Sequence, residues 1–303
     1  MLFRSQADVI SGAASLLNPN GSAPGQYLEG EIEGQHKIVM LLPGPPSELK
    51  PMFLGPALER MSYSVPPSHI ATKVLKVAMM GEGECDSRIA PIYKKHKKVE
   101  TTILAHAGEV QIHMKSMAEK QEAAVKAVNL LAEELEEELD DRIFSVSGES
   151  LEEIVGFYLQ MRNATLAVAE SCTGGLISQR ITSISGSSRY FLGGAVVYDN
   201  RLKSDLADVP PKLIAEYGAV SKEVAVALAE GIRKKTRATL GVGVTGIAGP
   251  GGGTEDKPVG TVYIAVADGK KPEVAERQFP GDRERVRWFA SQQALEMVRR
   301  KLR

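Results

Sequence analysis

The chain has 303 residues, a formal net charge of -1, 43% hydrophobic and 25% charged residues. That length suits two or three domains with ordinary cores, and the near-neutral balance argues against a dedicated nucleic-acid binder. Cys85 and Cys172 are the two cysteines, too few for a disulfide framework or a zinc site, which fits a reducing cytoplasm.

Met1-Leu2-Phe3-Arg4-Ser5-Gln6 lacks the sustained apolar core of a signal peptide, and no run reaches the ~18 apolar residues of a membrane span. Ala7 to Leu17 reads as a short helix. A turn-rich loop, Asn18-Pro19-Asn20-Gly21-Ser22-Ala23-Pro24-Gly25, follows. Tyr27 to Glu33 and Lys37 to Leu42 read as strands joined by Gly34-Gln35. Pro43-Gly44-Pro45-Pro46-Ser47-Glu48 then breaks the strand and caps a helix. Two strands and two helices cannot easily close a core, so this segment reads as part of something larger.

Pro66-Pro67 marks a boundary, which makes residues 1–66 a partial α/β domain and 67–147 a small α+β domain. Ala71 to Met79 is strand-like, Gly83 to Lys95 helical, and Thr101 to His106 with Glu109 to Lys115 a hairpin around Gly108. The basic cluster Lys94-Lys95-His96-Lys97-Lys98 reads as a solvated helix end. Ala118 to Asp141 is a helix with one apolar stripe of Val125, Val128, Ala132, Leu135 and Leu139.

Residues 148–303 form the third expected domain, a layered α/β fold of short apolar strands alternating with helices. Ser150-Leu151-Glu152-Glu153 has capping-box spacing, and Leu151, Ile154, Val155, Tyr158 and Leu159 form a stripe. Strands are expected at Thr165 to Ala169, Gly194 to Tyr198, Ala238 to Val244 and Gly260 to Ala267. Helices are expected at Gly174 to Ile184, Lys212 to Tyr217, Ser221 to Lys234 and Arg283 to Leu302.

Ala169-Glu170-Ser171-Cys172-Thr173-Gly174-Gly175 joins a buried strand to a helix. The turn projects Ser171 from the sheet edge, and the N–H groups of Thr173, Gly174 and Gly175 are free to face an oxyanion. A plain helix cap explains the same residues, and Cys172 is a rival nucleophile or inert packing. All five histidines precede residue 114, so a base for Ser171 within its own domain cannot be histidine. Lys203 is the best remaining candidate, given a pKa lowered enough to be neutral; as a lone residue it also reads as a surface lysine. Tyr198 and Asn200 gather near it past a strand end, Tyr198 either to hydrogen-bond the pair or to pack. Thr245-Gly246-Ile247-Ala248-Gly249-Pro250 offers backbone N–H groups to a phosphate or carboxylate, or forms a linker. Arg283 and Arg287 share a helix face, suited to a phosphate or to surface salt bridges.

In this order the motifs resemble the C-terminal domain of the competence/damage-inducible CinA family. Gly186-Ser187-Ser188, Gly218-Ala219-Val220-Ser221, Lys257-Pro258-Val259-Gly260-Thr261 and Gly281-Asp282-Arg283 complete the match. The resemblance implies a cytoplasmic, metal-free and cofactor-free nicotinamide-nucleotide amidohydrolase of pyridine-nucleotide salvage. It implies Ser171 as nucleophile, Lys203 as base and Tyr198 beside them. Thr173, Gly174, Gly175, Asn200, Thr245, Gly246, Ala248, Gly249, Arg283 and Arg287 would bind the nucleotide. It also implies a homodimer, with no nucleic-acid or membrane partner. Residues 1–65 resemble the end of the family's molybdopterin-binding-like domain without its early nucleotide loop and acidic metal-site residues, which weakens an ADP-ribose pyrophosphatase reading. A non-catalytic interaction protein, docking through the Gly-rich loop and the acidic helix, is the alternative from another class.

Overall fold

The computed structural model describes residues 8–65 and 68–303. The start of the helix expected from Ala7, the leader reading and the Pro66-Pro67 boundary lie outside the described residues. Contacts divide the chain into two units, residues 1–69 and 70–303.

In the first unit, β1 (Ala14–Leu16), β2 (Gly25–Ile32) and β3 (Gln35–Leu41) form an antiparallel sheet. The helix expected from Ala7 to Leu17 is absent among the described residues: residues 8–13 are turn or irregular, and Ala14 to Leu16 pair as a strand with Tyr27 to Gly25. The Glu33-Gly34 turn closes the β2–β3 hairpin, with both residues at positive φ. Helices α1 (Pro46–Met52) and α2 (Leu58–Ser64) flank a π-helical turn containing Gly55 and Pro56. Leu16, Tyr27, Met52 and Ala57 are the buried core of this unit.

The second unit opens with a four-stranded sheet in the order β5-β6-β4-β7, built from β4 (His69–Ala78), β5 (Val99–His106), β6 (Glu109–Ala118) and β7 (Ile143–Ser145). Helices α3 (Glu82–Tyr93) and α4 (Gln121–Leu139) cover it. Val128, Ala132, Leu135 and Leu139 are buried as expected. Val125 is exposed, and Ala124 and Leu131 complete the stripe in its place.

A five-stranded sheet follows, in the order β12-β11-β10-β8-β9. Helix α5 (Leu151–Met161) starts at Ser150 with the expected capping box, which stabilises it by about 1 kcal/mol. Next come β8 (Leu166–Glu170), α6 (Leu176–Thr182), β9 (Phe191–Val196), α7 (Asn200–Ala207), α8 (Pro211–Tyr217), α9 (Lys222–Thr236), β10 (Leu240–Gly246), β11 (Thr261–Ala267), β12 (Glu273–Gln278) and α10 (Arg283–Leu302). Strands β9, β8 and β10 are parallel; β10, β11 and β12 are antiparallel. One apolar layer packs α5, α6 and α10 on the sheet, and α7, α8 and α9 pack on the opposite face. This is a mixed α/β fold. Within residues 148–303, the α7 helix and the β12 strand are additions to the elements expected from sequence.

Candidate active site

Strand β8 is buried at every residue and lies between its two parallel neighbours. The chain leaves β8 for β9 on one side, then crosses back to β10 on the other. A crevice opens at the carboxyl ends of strands where connections diverge in this way. Ser171 is the first residue beyond β8. Its N–H donates to Val244 O at 3.0 Å, and Val197 N–H donates to Glu170 O at 2.8 Å. The ladder thus continues to the crevice on both sides and sets Ser171 level with the ends of β9 and β10.

Glu170 determines the turn. Its carboxylate is buried and accepts from the N–H groups of Gly175 (3.0 Å), Ile177 (3.0 Å) and Ser178 (2.9 Å), and from the Ser178 hydroxyl (2.8 Å). The positive end of α6 is therefore neutralised from inside the protein. Gly174 N–H is directed to Ser171 O at 3.1 Å. The oxyanion donors expected at Gly174 and Gly175 are thus already engaged. The N–H groups of Cys172 and Thr173 instead face the Cys172 sulfur. Burial pushes that thiol up to about 12, so it carries almost no thiolate at neutral pH and is a poor nucleophile. Thr173 is fully buried, and its hydroxyl has no hydrogen-bond partner among the described residues.

Lys203 is 2% exposed. The sequence placed it in a polar stretch past a strand; the structure puts it in the first turn of α7. Asp199 caps that helix by accepting from Arg201 N–H at 2.8 Å. The Lys203 ammonium donates to Tyr198 O at 3.3 Å and to Asn200 Oδ1 at 3.2 Å. Desolvation holds its pKa below the ordinary 10.5, opposed by Asp199 and by the Cys172 thiol. The second opposing group is a spatial marker: Nζ lies within electrostatic reach of the residue next to Ser171. Among the described residues no hydrogen bond joins Nζ to Ser171 Oγ.

The first two turns of α10 tie the loops together. Asp282 caps the helix by accepting from Arg285 N–H at 2.9 Å. Arg283 donates to Gly249 O and to Tyr198 Oη, both at 2.9 Å. Arg287 donates twice to Thr173 O, at 3.1 and 2.8 Å. The two guanidiniums thus face site loops, and neither pairs with a carboxylate among the described residues. Tyr198 is 59% exposed, its ring outside the core and its hydroxyl under Arg283. The Thr245 hydroxyl donates to Ala219 O at 2.7 Å, so its proton is not free for a phosphate. Gly246 ends β10, and Ala248 is buried. Lys257 donates to Tyr217 O and Val220 O, fastening the Gly-rich loop to the α8–α9 connection. The loop is therefore an anchored part of the site rather than a free linker.

The profile of the CinA C-terminal domain matches residues 148–302, and that of the damage-inducible protein CinA KH domain matches residues 72–145. A CinA-like protein of Koribacter versatilis is 61% identical over 297 residues, covering 98% of this chain and 72% of that protein. The chain belongs to the CinA family. A competence-damage inducible protein of Moorella thermoacetica is 42% identical, over 98% of this chain and 71% of its own length. The crystal structure of a competence/damage inducible protein from Agrobacterium tumefaciens is 37% identical, covering 49% of this chain and 91% of that one at a TM-score of 0.48.

Two groups in the CinA C-terminal domain of this chain escaped the sequence reading. Glu170 sits inside the AESCTGG motif, but nothing in one sequence distinguishes a carboxylate turned inward from one facing solvent. Asp199 carried a readable signal, an N-cap residue followed by Leu202 and Leu206 at helical spacing. No described helix is long and apolar enough to cross a membrane.

Proposed function

We propose that this site hydrolyses the carboxamide of nicotinamide mononucleotide to nicotinate mononucleotide and ammonia, with Ser171 as nucleophile and Lys203 as its base. The observation that carries this reading is Lys203, a buried lysine within electrostatic reach of Cys172, the neighbour of Ser171, and desolvated toward its neutral form. A surface lysine has no reason to be there, whereas a base must be neutral to accept a proton.

Neutral Nζ releases one of its present acceptors and takes the proton of Ser171 Oγ as Oγ bonds to the carboxamide carbon. The carbonyl oxygen becomes an oxyanion, and the N–H groups of Cys172 and Thr173 exchange the weakly accepting Cys172 sulfur for it. The intermediate collapses with cleavage of the carbon–nitrogen bond, and the Lys203 ammonium gives its proton to the departing nitrogen, which leaves as ammonia. Water then loses a proton to Lys203 and attacks the acyl-serine. The ester bond breaks, Oγ regains the proton, and nicotinate mononucleotide leaves. Arg283 and Arg287, which donate to Gly249 O and Thr173 O, would supply the cations for the phosphate.

Ammonia release from nicotinamide mononucleotide by the purified full chain tests this reading. Wild-type turnover with loss of at least about 1,000-fold in both Ser171→Ala and Lys203→Met supports it. A Ser171→Ala protein with near wild-type turnover overturns it.

A further inference from the structure

Trp288, the single tryptophan of the chain, follows directly on Arg287 in α10. It lies where three parts of the second unit meet. Its indole Nε1–H donates to Ala107 O at 3.0 Å, at the tip of the β5–β6 hairpin. On its ring stands the Arg180 guanidinium, 4.3 Å from the centroid. Arg180 belongs to α6, the helix that follows the Ser171 turn, and it is 4% exposed. Its remaining donors reach Glu152 on α5 and, at 2.7 and 2.6 Å, Ser291 Oγ and Gln292 Oε1 on α10.

The hairpin tip is fitted to this helix. Gly108 has φ +75°, and a Cβ there would lie 2.9 Å from Gln292 Cγ. Its carbonyl accepts from Met79 N–H at 2.9 Å, so the tip is tied back to β4. One rigid helix therefore bears, on consecutive residues, a contact to the carbonyl of Thr173 in the Ser171 turn and a contact to the neighbouring sheet. The segment from Thr173 through α6 is fastened to α10 twice, by Arg287 through Thr173 O and by Arg180 through Trp288. Packed helices shift as units, so a displacement at Trp288 is carried to Arg287 one residue away.

We infer that Trp288 is a positioning residue, through which the β5–β6 hairpin sets the placement of the Ser171 turn. The inference rests on the reaction proposed above, and one of its two readouts does not require that reaction. Trp288→Phe keeps a ring beneath Arg180 and loses the bond to Ala107. Trp288→Ala loses both. Gly108→Ala replaces no residue of the larger α/β sheet or its helices and presses a Cβ against Gln292 of α10, which displaces the hairpin tip from it.

Steady-state kinetics and native-state hydrogen exchange are measured on all three full-length variants, with circular dichroism to verify folding. The expected result for Gly108→Ala and Trp288→Ala is a kcat lower by about 10-fold with KM within about twofold, Trp288→Phe falling between them and wild type. Exchange of the N–H groups of residues 174–178 is expected to rise about 10-fold in Gly108→Ala. A structural role alone lowers the melting temperature and leaves kcat per folded molecule unchanged, and that outcome overturns the inference. Unchanged exchange at 174–178 in Gly108→Ala also overturns it. Faster exchange there in a protein that releases no ammonia sustains the coupling and rejects the reaction.

Discussion

Glu170 and Ser178 lie eight residues apart, yet one carboxylate oxygen of Glu170 accepts both the backbone N–H and the hydroxyl of Ser178, at 2.9 and 2.8 Å. With the bonds from Gly175 and Ile177 to the other oxygen, this carboxylate takes over the N-terminus of α6. The helix start after a nucleophile is often available to an anion. Here it is closed, and the turn between Ser171 and Gly175 is fixed from behind.

Glu170→Ala is therefore expected to destabilise the protein by about 3 kcal/mol, because one buried N–H group, two part-buried ones and a hydroxyl lose their acceptor. Glu170→Gln retains one acceptor oxygen and turns an NH2 group toward other donors, so its loss falls between. Urea denaturation followed by circular dichroism measures both. An alanine variant as stable as wild type removes the carboxylate from its assigned role.

The pH dependence follows from Lys203. Burial lowers its pKa, so the neutral amine becomes available below the pH at which an exposed lysine supplies it. As a base it acts only when neutral, so kcat/KM rises with pH and levels off above an inflection lower than 10.5. The sign for stability agrees. A lysine with a depressed folded pKa binds fewer protons folded than unfolded, so its contribution increases as pH rises from the lowered value toward the ordinary one. Lys203→Arg holds a permanent charge, and its residual rate is expected to lack this limb. A limb of the same position in that variant assigns the titration to another group.

Cys172 provides a contrast at the adjacent position. Its thiol is buried and pushed up to about 12, so the expected consequence is chemical silence. Iodoacetamide at pH 8 is expected to leave the native protein unmodified at Cys172 and to modify it after denaturation. Cys172→Ala is expected to retain activity within about threefold. Rapid native alkylation accompanied by inactivation transfers the nucleophile from Ser171 to Cys172.

The sequence reached the site's cast but not its wiring. Strand β8, its turn and the ends of β9 and β10 were legible, because short apolar runs ending in small and polar residues mark parallel strands at a crevice. Lys203 followed from the absence of histidine beyond residue 113. Its position on α7 did not, although Asp199 is a good cap, because the helix is only eight residues long. The donors around Ser171 were read from local helix geometry, which is blind to an inward-turned Glu170. The role of Arg287 was equally hidden: one turn of spacing gives a shared face, and only tertiary packing shows that the face meets Thr173 O. Strand β12 was missed for a simpler cause. Its sequence, EVAERQ, has little apolar content, since it is an edge strand with exposed positions.

The placement of Lys203 depends on a glycine in a different helix. At Gly231 in α9 a Cβ would lie 1.7 Å from the carbonyl oxygen of Ala207, the last residue of α7. Ala207 and Lys203 are four residues apart and share a helix face, so α7 cannot move at Ala207 without moving the lysine. Gly231→Ala is expected to cost about 3 kcal/mol through overpacking, a fall of about 6–12 °C in melting temperature for a unit of this size. Activity is expected to fall with it at temperatures where the variant remains folded, because Nζ is carried away from the Ser171 turn. Gly251→Ala in the Gly-rich loop meets nothing within 4 Å and serves as the control, with a change of at most about 0.5 kcal/mol. Calorimetry and the ammonia assay on the two variants separate the effects. A Gly231→Ala protein that is destabilised yet fully active at low temperature shows that α7 can shift without disturbing the lysine.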